Sequence, residues 1–526
     1  MPGRAVVGLL TALLIAPALR SASIDDATSD ACTRVASLAL AETTIRSAAV
    51  VTGGSFAPPG GGPASKDLPA FCRVAAVSKP AVSFEVWLPL ANWNGKFQGV
   101  GNGANAGSIS YPAMAAALRR GYATASTDTG HATTNSRDAR WAVGHPELVI
   151  DFGYRAIHLT AEHAKRIVSA FYAKPASHSY FVSCSTGGRQ ALMEAQRFPD
   201  DYDGIVAGAP AANWSRFQTG GHLWAASALN KDPERYIPAG KLPLLQSAVL
   251  AACDANDGVK DGVLDDPRRC RFDSQTLVCK QGGDPSSCFT PKQVAAIKDL
   301  YAGARDSAGR LIYPGYMPGA EAEGGWAAYM TGSGPRSGNH WEQADNVLKY
   351  LVFENPAWDF RTFDFDKDVA FTVDKLGKTF DAFDPDLARF RRNGGKLLLY
   401  HGWNDPSISP LNTIDYYERV VSVLKKGGGE PAAAQAQEFI RLFMLPGMLH
   451  CGGGPGPNTF DMVGALEGWV EERRAPDSLT ASHATNGTID RTRPLCVYPK
   501  VAVYSGSGST NDAANFSCRL PSDATR

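Results

Sequence analysis

Net charge is absent from this chain. Its 526 residues carry 52 lysines and arginines against 52 aspartates and glutamates. No basic field is therefore available to hold nucleic acid or an acidic membrane surface. No CxxC pair occurs, which removes the usual framework of a zinc site. The close histidine pair, His158 and His163, has no cysteine near it in sequence. No internal repeat is evident, which argues against a repeat architecture. Beyond the N-terminus, no stretch is long and apolar enough to cross a bilayer.

What is present begins with export. Arg4 gives a positive start, and the short apolar run Ala5 to Ala18 is followed by small residues. This reads as a signal peptide over residues 1–22, and hence as a secreted or periplasmic protein. The ten cysteines suit an oxidising compartment. Proximity in sequence favours Cys253 with Cys270, Cys279 with Cys288, and Cys496 with Cys518. Cys32 with Cys72 would pin the N-terminal segment. Cys184 and Cys451 remain.

The patterning then alternates. Strand signals occur at Phe84–Leu90, Lys96–Val100, Tyr122–Ser126, Ser179–Ser183 and Gly204–Gly208. Helical spacing runs from about Arg155 to Tyr172 and from Arg189 to Arg197. From about Asn213 to Ala382 the chain turns irregular, aromatic and rich in local cysteine pairs. The α/β pattern resumes with Lys396–Tyr400, a helical Ile414–Leu424, the apolar Phe439–Met444 and a helix near Phe460–Glu472. The expectation is an α/β domain formed by 23–212 and 383–526, with 213–382 inserted as a lid over the sheet ends.

The chemistry starts at Ser183-Cys184-Ser185-Thr186-Gly187-Gly188. A strand that turns sharply into a helix exposes the side chain at the turn, which makes Ser185 a candidate nucleophile. Ser183 stands where such elbows usually carry glycine. An acid and then a histidine should follow in that order. Asp405 follows the strand Lys396–Tyr400, and His450 follows the next apolar strand, so both belong at the edge that carries Ser185. His450 would move the serine proton, and Asp405 would orient His450. Asp128 and His131 are rivals that precede the serine and break the order. His401 reads as a structural partner near Asp405. Oxyanion donors are expected from the backbone of Thr186 and of the Gly99–Gly103 turn, with Gly103 preferred over Gly101.

On Cys184–Gly188, on Asp405 after His401-Gly402-Trp403, and on His450-Cys451, the chain resembles the tannase and feruloyl esterase family of α/β hydrolases. That family includes a mono(hydroxyethyl) terephthalate hydrolase. The resemblance covers nearly all of the mature chain. It implies an α/β-hydrolase fold and a Cys184–Cys451 bond tying nucleophile to base. It implies a serine esterase acting on aromatic acyl esters (hydroxycinnamoyl, galloyl or a related benzoate), including plant cell-wall esters. It also implies a structural calcium in the lid, held by Asp254, Asp257 and Asp261 side chains and by Val259 and Val263 carbonyls. Oxygen donors suit that ion, and the loop is not an EF-hand, having Val259 at its sixth position and Asp265 at its twelfth. Ile408 is a candidate for the substrate pocket and Arg336 for carboxylate binding. The triad by itself leaves a serine peptidase open. From another class, a non-catalytic calcium-stabilised binding protein on this fold is the alternative.

Overall fold

A computed structural model describes Met1 and residues 26–425 and 431–521. Apart from Met1, the segment read as a signal peptide lies outside the described residues. Nine strands form the central sheet: β1 (Thr43–Val51), β2 (Phe71–Ser78), β3 (Val82–Pro89), β4 (Phe97–Val100), β5 (Ala123–Thr127), β6 (Ser179–Cys184), β7 (Gly204–Gly208), β8 (Lys396–Gly402) and β9 (Ile440–Leu445). Their order across the sheet is β1-β2-β3-β5-β4-β6-β7-β8-β9. The β1–β2, β2–β3 and β3–β5 pairs are antiparallel. From β5 to β9 every pairing is parallel. This is the mixed sheet of an α/β-hydrolase fold.

The parallel strands read as apolar runs because helices cover both faces. Leu397, Leu398 and Leu399 of β8 are all fully buried, and they feed different core clusters on opposite faces. Four helices pack against the sheet: α1 (Tyr111–Arg119), α2 (Ala156–Tyr172), α3 (Thr186–Arg197) and α4 (Met462–Glu472). Strand order reverses between β4 and β6, whose chain continuations run to opposite sides. A crevice opens at the C-terminal ends of such a strand pair.

The chain leaves the sheet after β7 and returns at β8. These two strands pair side by side, Lys396 opposite Gly204. Nearly two hundred residues are thus inserted between neighbouring strands without widening the sheet. Within 213–382 the strands are the short pair Ala304–Arg305 and Leu311–Tyr313, which forms its own small sheet. The expected helix at Arg189 begins earlier, at Thr186, directly after the candidate nucleophile. The edge strand β1 and its neighbour β2 carry small and polar residues in their alternation, which left no clear strand signal in the sequence.

Candidate active site

Ser185 occupies the single residue between β6 and α3. Its backbone stands at φ 68° and ψ −127°. Such a conformation is strained for an L-residue, and it lifts the side chain out of the turn. The surrounding structure enforces it. Ser185 N–H donates to Gly208 O at 3.0 Å, and Ser185 O accepts from Arg189 N and Ala211 N. The elbow also needs bare backbone beside it. A Cβ on Gly187 would stand 1.9 Å from Ser183 Oγ, and one on Gly101 would stand 2.8 Å from the same oxygen. Ser183 therefore fits where glycine is usual because its two neighbours lack side chains.

The three side chains expected to act together do meet. His450 Nε2 lies 3.0 Å from Ser185 Oγ, and His450 Nδ1 lies 2.7 Å from Asp405 Oδ2. A carboxylate only accepts, so Nδ1 carries the proton and Nε2 faces the serine hydroxyl as an acceptor. Asp405 is held from both ends. Its Oδ1 accepts from Ser407 N at 2.7 Å and Ile408 N at 2.9 Å. Its Oδ2 also faces His401 Nε2 at 3.0 Å. His401 Nδ1 faces Thr413 Oγ1 at 2.7 Å, and its Nε2 faces Ile408 O as well. Burial would push the Asp405 carboxyl up, but His450 and His401 outweigh it and hold it well below the usual carboxylate range. His401 is thus the structural partner that the sequence suggested.

Thr186 and Gly103 both line the space beside Ser185. Among the described residues, neither backbone N–H donates to another protein group. The intervening Asn102 N–H is taken by Gln190 Oε1 at 3.0 Å. Asn102 Nδ2 in turn holds Ser108 O and Thr127 O, which fixes the turn. The rivals sit elsewhere. Asp128 accepts from Ser83 N and Gly130 N, and burial raises it to about 6. His131 stacks on Trp141 with ring centres 3.8 Å apart, and burial lowers it to about 4. Neither lines the cavity at Ser185.

That cavity measures about 670 Å³. The sheet side supplies Ser185, the Gly101–Ala104 turn and His450. The inserted segment supplies Phe217, His222, Tyr329 and Gln343. Two expectations about its wall change. Ile408 is buried away from it, its backbone engaged with Asp405 and His401, and Ser407 takes the wall position. Arg336 lies over the Trp341 ring at 5.8 Å and is not a wall residue. Arg137 is the wall's lysine-or-arginine cation instead, 3.6 Å from Glu342. No local motif in the sequence marked it, because its place depends on a loop after β5.

All ten cysteines are paired, and Cys184 is bonded to Cys451. The other bonds join Cys32 to Cys72, Cys253 to Cys270, Cys279 to Cys288 and Cys496 to Cys518. The acidic loop 254–265 is closed by one of them. Asp254 Oδ1 accepts from Gly262 N, and Asp257 accepts from Val259 N and Asp265 N. Asp261 Oδ2 accepts from Arg493 at 2.6 Å. Burial raises Asp257, and burial together with Asp257 raises Asp265 to about 7. The side chains of the loop do not converge as tightly as a second acidic group. Among the described residues, the donor atoms within 4.8 Å of one another belong to His158, Glu194 and Asp201, between α2 and α3.

Comparison with known proteins places this geometry. The model of the family "Tannase and feruloyl esterase" matches residues 67–519. An uncharacterised esterase of Xanthomonas campestris pv. campestris is 41% identical, over 93% of this chain and 91% of its own length. Mono(2-hydroxyethyl) terephthalate hydrolase of Piscinibacter sakaiensis is 36% identical, over 86% and 85%. The crystal structure of feruloyl esterase B from Aspergillus oryzae superimposes with a TM-score of 0.85 at 29% identity, covering 94% of this chain and all of that one. The chain is a carboxylic ester hydrolase that belongs to the tannase and feruloyl esterase family.

Proposed function

We propose that this protein is a secreted serine esterase that cleaves aromatic esters through an acyl-enzyme. The observation that carries the reading is the continuous chain from Ser185 Oγ through His450 to Asp405, opening into a cavity. Ser185 attacks the ester carbonyl while His450 Nε2 takes its proton. Thr186 and Gly103 N–H groups hold the developing oxyanion, which favours donors with no other partner. His450 then protonates the leaving alcohol. A water, deprotonated by the same nitrogen, releases the acid. Asp405 stays ionised throughout and stabilises the imidazolium.

An aromatic acyl group suits the wall built from Phe217 and Tyr329. The names of two relatives, a terephthalate ester hydrolase and a feruloyl esterase, carry such groups. Residues 213–382 act in this reading as the lid that supplies that wall, on a catalytic domain of 23–212 and 383–526. Five disulfides support an oxidising compartment.

The loop at 254–265 fits a structural calcium by its donor chemistry. It offers only oxygen; burial, with Asp261, raises the Asp257 carboxyl, and burial, with Asp257, raises Asp265 to about 7 even with Arg493 nearby. Asp254, Asp257 and Asp261, with the Val259 and Val263 carbonyls, would hold the ion. When bound it supplies charge neutralisation and no step of the reaction.

The test is a panel of methyl ferulate, methyl gallate and a terephthalate monoester, with products separated by chromatography. The wild type should hydrolyse at least one. Ser185→Ala should lower that turnover by about 10⁴-fold or more. Retained turnover in a folded Ser185→Ala protein overturns the assignment.

A further inference from the structure

Away from Ser185, three side chains converge between α2 and α3. His158, Glu194 and Asp201 each offer one donor atom, and these atoms lie within 4.8 Å of one another. His158 stands near the start of α2, Glu194 in the last turn of α3, and Asp201 in the turn that follows α3.

Glu194 is fully buried, and neither of its carboxylate oxygens has a hydrogen-bond partner. A buried carboxylate without a partner is costly. Asp201 stands beside it and, when ionised, can only accept as well. Lys165 does not fill the gap. Its ammonium donates to the Asp201 backbone oxygen and stays 3.8 Å from Asp201 Oδ1. The two carboxylates therefore lack a cation between them.

His158 is already set as a metal ligand is set. Its ring stacks on Phe198, with centres 3.9 Å apart and planes 8° apart. Its Nδ1 is turned to Asp201 Oδ2 at 2.6 Å. Its Nε2 faces Glu162 Oε2 at 3.6 Å, one helical turn along α2. A carboxylate behind the far nitrogen keeps the proton there and leaves the Nδ1 lone pair for an ion. His163, the other half of the close histidine pair, is engaged elsewhere. Its Nε2 lies 2.9 Å from Thr43 Oγ1, and its ring stacks on Phe84.

The donor set selects the ion. Imidazole nitrogen with carboxylate oxygen suits first-row divalent metals, whereas calcium and magnesium sites are built from oxygen. Two carboxylates cancel the charge of such an ion. Donors around a tetrahedral Zn²⁺, bonded at about 2.0–2.1 Å, stand roughly 3.3 Å apart. The donors here span that separation, from 2.6 Å up to 4.8 Å. The His158 side chain is 26% exposed, which leaves a solvent side for a water as fourth ligand.

We propose that His158, Glu194 and Asp201 bind a divalent transition-metal ion of the zinc class, apart from both the acidic loop 254–265 and the ester-cleaving site. Glu194 lies nine residues beyond Ser185, about 13 Å along α3. The ion therefore touches no substrate and braces the far end of α3 against α2. It does not depend on the serine esterase reading.

The test uses Zn²⁺ alone as the probe. It is added to chelator-treated protein in saturating calcium, so that the 254–265 loop is not the acceptor. Equilibrium dialysis should find one Zn²⁺ per chain at this site. At roughly a hundred times the Kd, Zn²⁺ should raise the melting temperature by about 3 °C or more, and Mg²⁺ should not. Glu194→Gln and His158→Phe should each weaken binding about a hundredfold or more and abolish the shift, while Glu162→Gln should weaken it about tenfold. A crystal soaked in Zn²⁺ should show an anomalous scattering peak between α2 and α3. Zn²⁺ uptake that is unchanged in His158→Phe and Glu194→Gln marks an adventitious ion only and overturns the site. No uptake by the wild type overturns it too and leaves a proton shared by Glu194 and Asp201. Should Glu194→Gln fail to fold, His158→Phe, at the solvent edge, decides the matter. Each readout is binding or stability, so the outcome of the ester panel does not bear on it.

Discussion

At Ser185 a few cubic ångströms decide whether the turn can form. Ser183 Oγ fills the space that a Cβ on Gly187 would need. The two positions are coupled, so a change at one is read through the other. Gly187→Ala should cut kcat at least a hundredfold, because the added methyl must push either Ser183 or the start of α3. Adding Ser183→Gly removes the atoms at 1.9 and 2.6 Å and leaves Asn102 O at 3.0 Å. The double variant should therefore recover at least tenfold over Gly187→Ala, measured on any hydrolysed aromatic ester. Equal activity of the single and double variants would refute the coupling. The same close packing explains why the departure from the usual glycine at 183 leaves the elbow intact.

Among the elements, the Cys184–Cys451 bond joins the end of β6 to the loop after β9, across 267 residues of chain. Closing so long a loop is worth roughly 5 kcal/mol in the chain-entropy account, less any strain. Its position matters separately. His450 sits on a loop, and its backbone neighbour Cys451 stands at φ 62°. Displacing a base by about an ångström costs on the order of a hundredfold in rate. Cys184→Ala with Cys451→Ala should thus lower kcat at least tenfold at temperatures well below the melting point. Unchanged kcat in the folded double variant would reduce the bond to a stabilising role. On the opposite face, Arg189 of α3 ties the same helix to the chain returning from the insertion. Its guanidinium donates to Phe152 O, Gly153 O and Phe380 O and lies between the Phe152 and Phe380 rings. Burial lowers it to about 9, since no carboxylate touches it. Helix α3 is therefore clamped at its start by one cross-link and along its length by another.

The whole molecule carries a titration that follows from its insertion. His340 and His222 lie with ring centres 4.7 Å apart where residues 213–382 meet the active-site wall. Burial pushes His340 down from 6.5 to about 3 and pushes His222 well below the ordinary range. Both stay neutral in the folded protein while the unfolded chain takes up protons below about 6.5. Folding stability should accordingly be full above that value and fall as pH drops from 6.5 toward 3, by up to about 1.4 kcal/mol per unit for each histidine. Asp405 adds no loss between 6.5 and about 4; its own loss begins near 3.8, where the unfolded carboxyl takes up a proton that the folded one refuses. Asp128 and Asp265, raised to about 6 and about 7, act in the opposite sense over this window, so the histidine share is read by difference: from pH 7 to pH 5 the melting temperature of His340→Phe should fall less, or rise more, than that of the wild type. An identical slope in the variant would show that other groups govern acid stability.

Much of this was legible along the chain. Leu397–Leu399 declared a strand buried on both faces by their continuous apolar run. Ser185, Asp405 and His450 declared their order because each follows a strand whose C-terminal end shares one edge. The limits were equally physical. β1 and β2 pair through backbone groups, and their small residues carry no strong alternation. Ile408 and Arg336 were misplaced because a residue's direction toward a cavity depends on the loop around it. Arg137 enters the wall from a loop that no periodicity describes. The sequence by itself determined the α/β alternation and the order of the candidate serine, acid and histidine, and it favoured the local cysteine pairs, since each is a matter of spacing along one chain. The tertiary structure alone decided what stands across a gap: the reach of His450 to Ser185 and the glycine space that admits Ser183. Those depend on distances across a tight turn and between segments up to 265 residues apart, which close packing sets and spacing does not record.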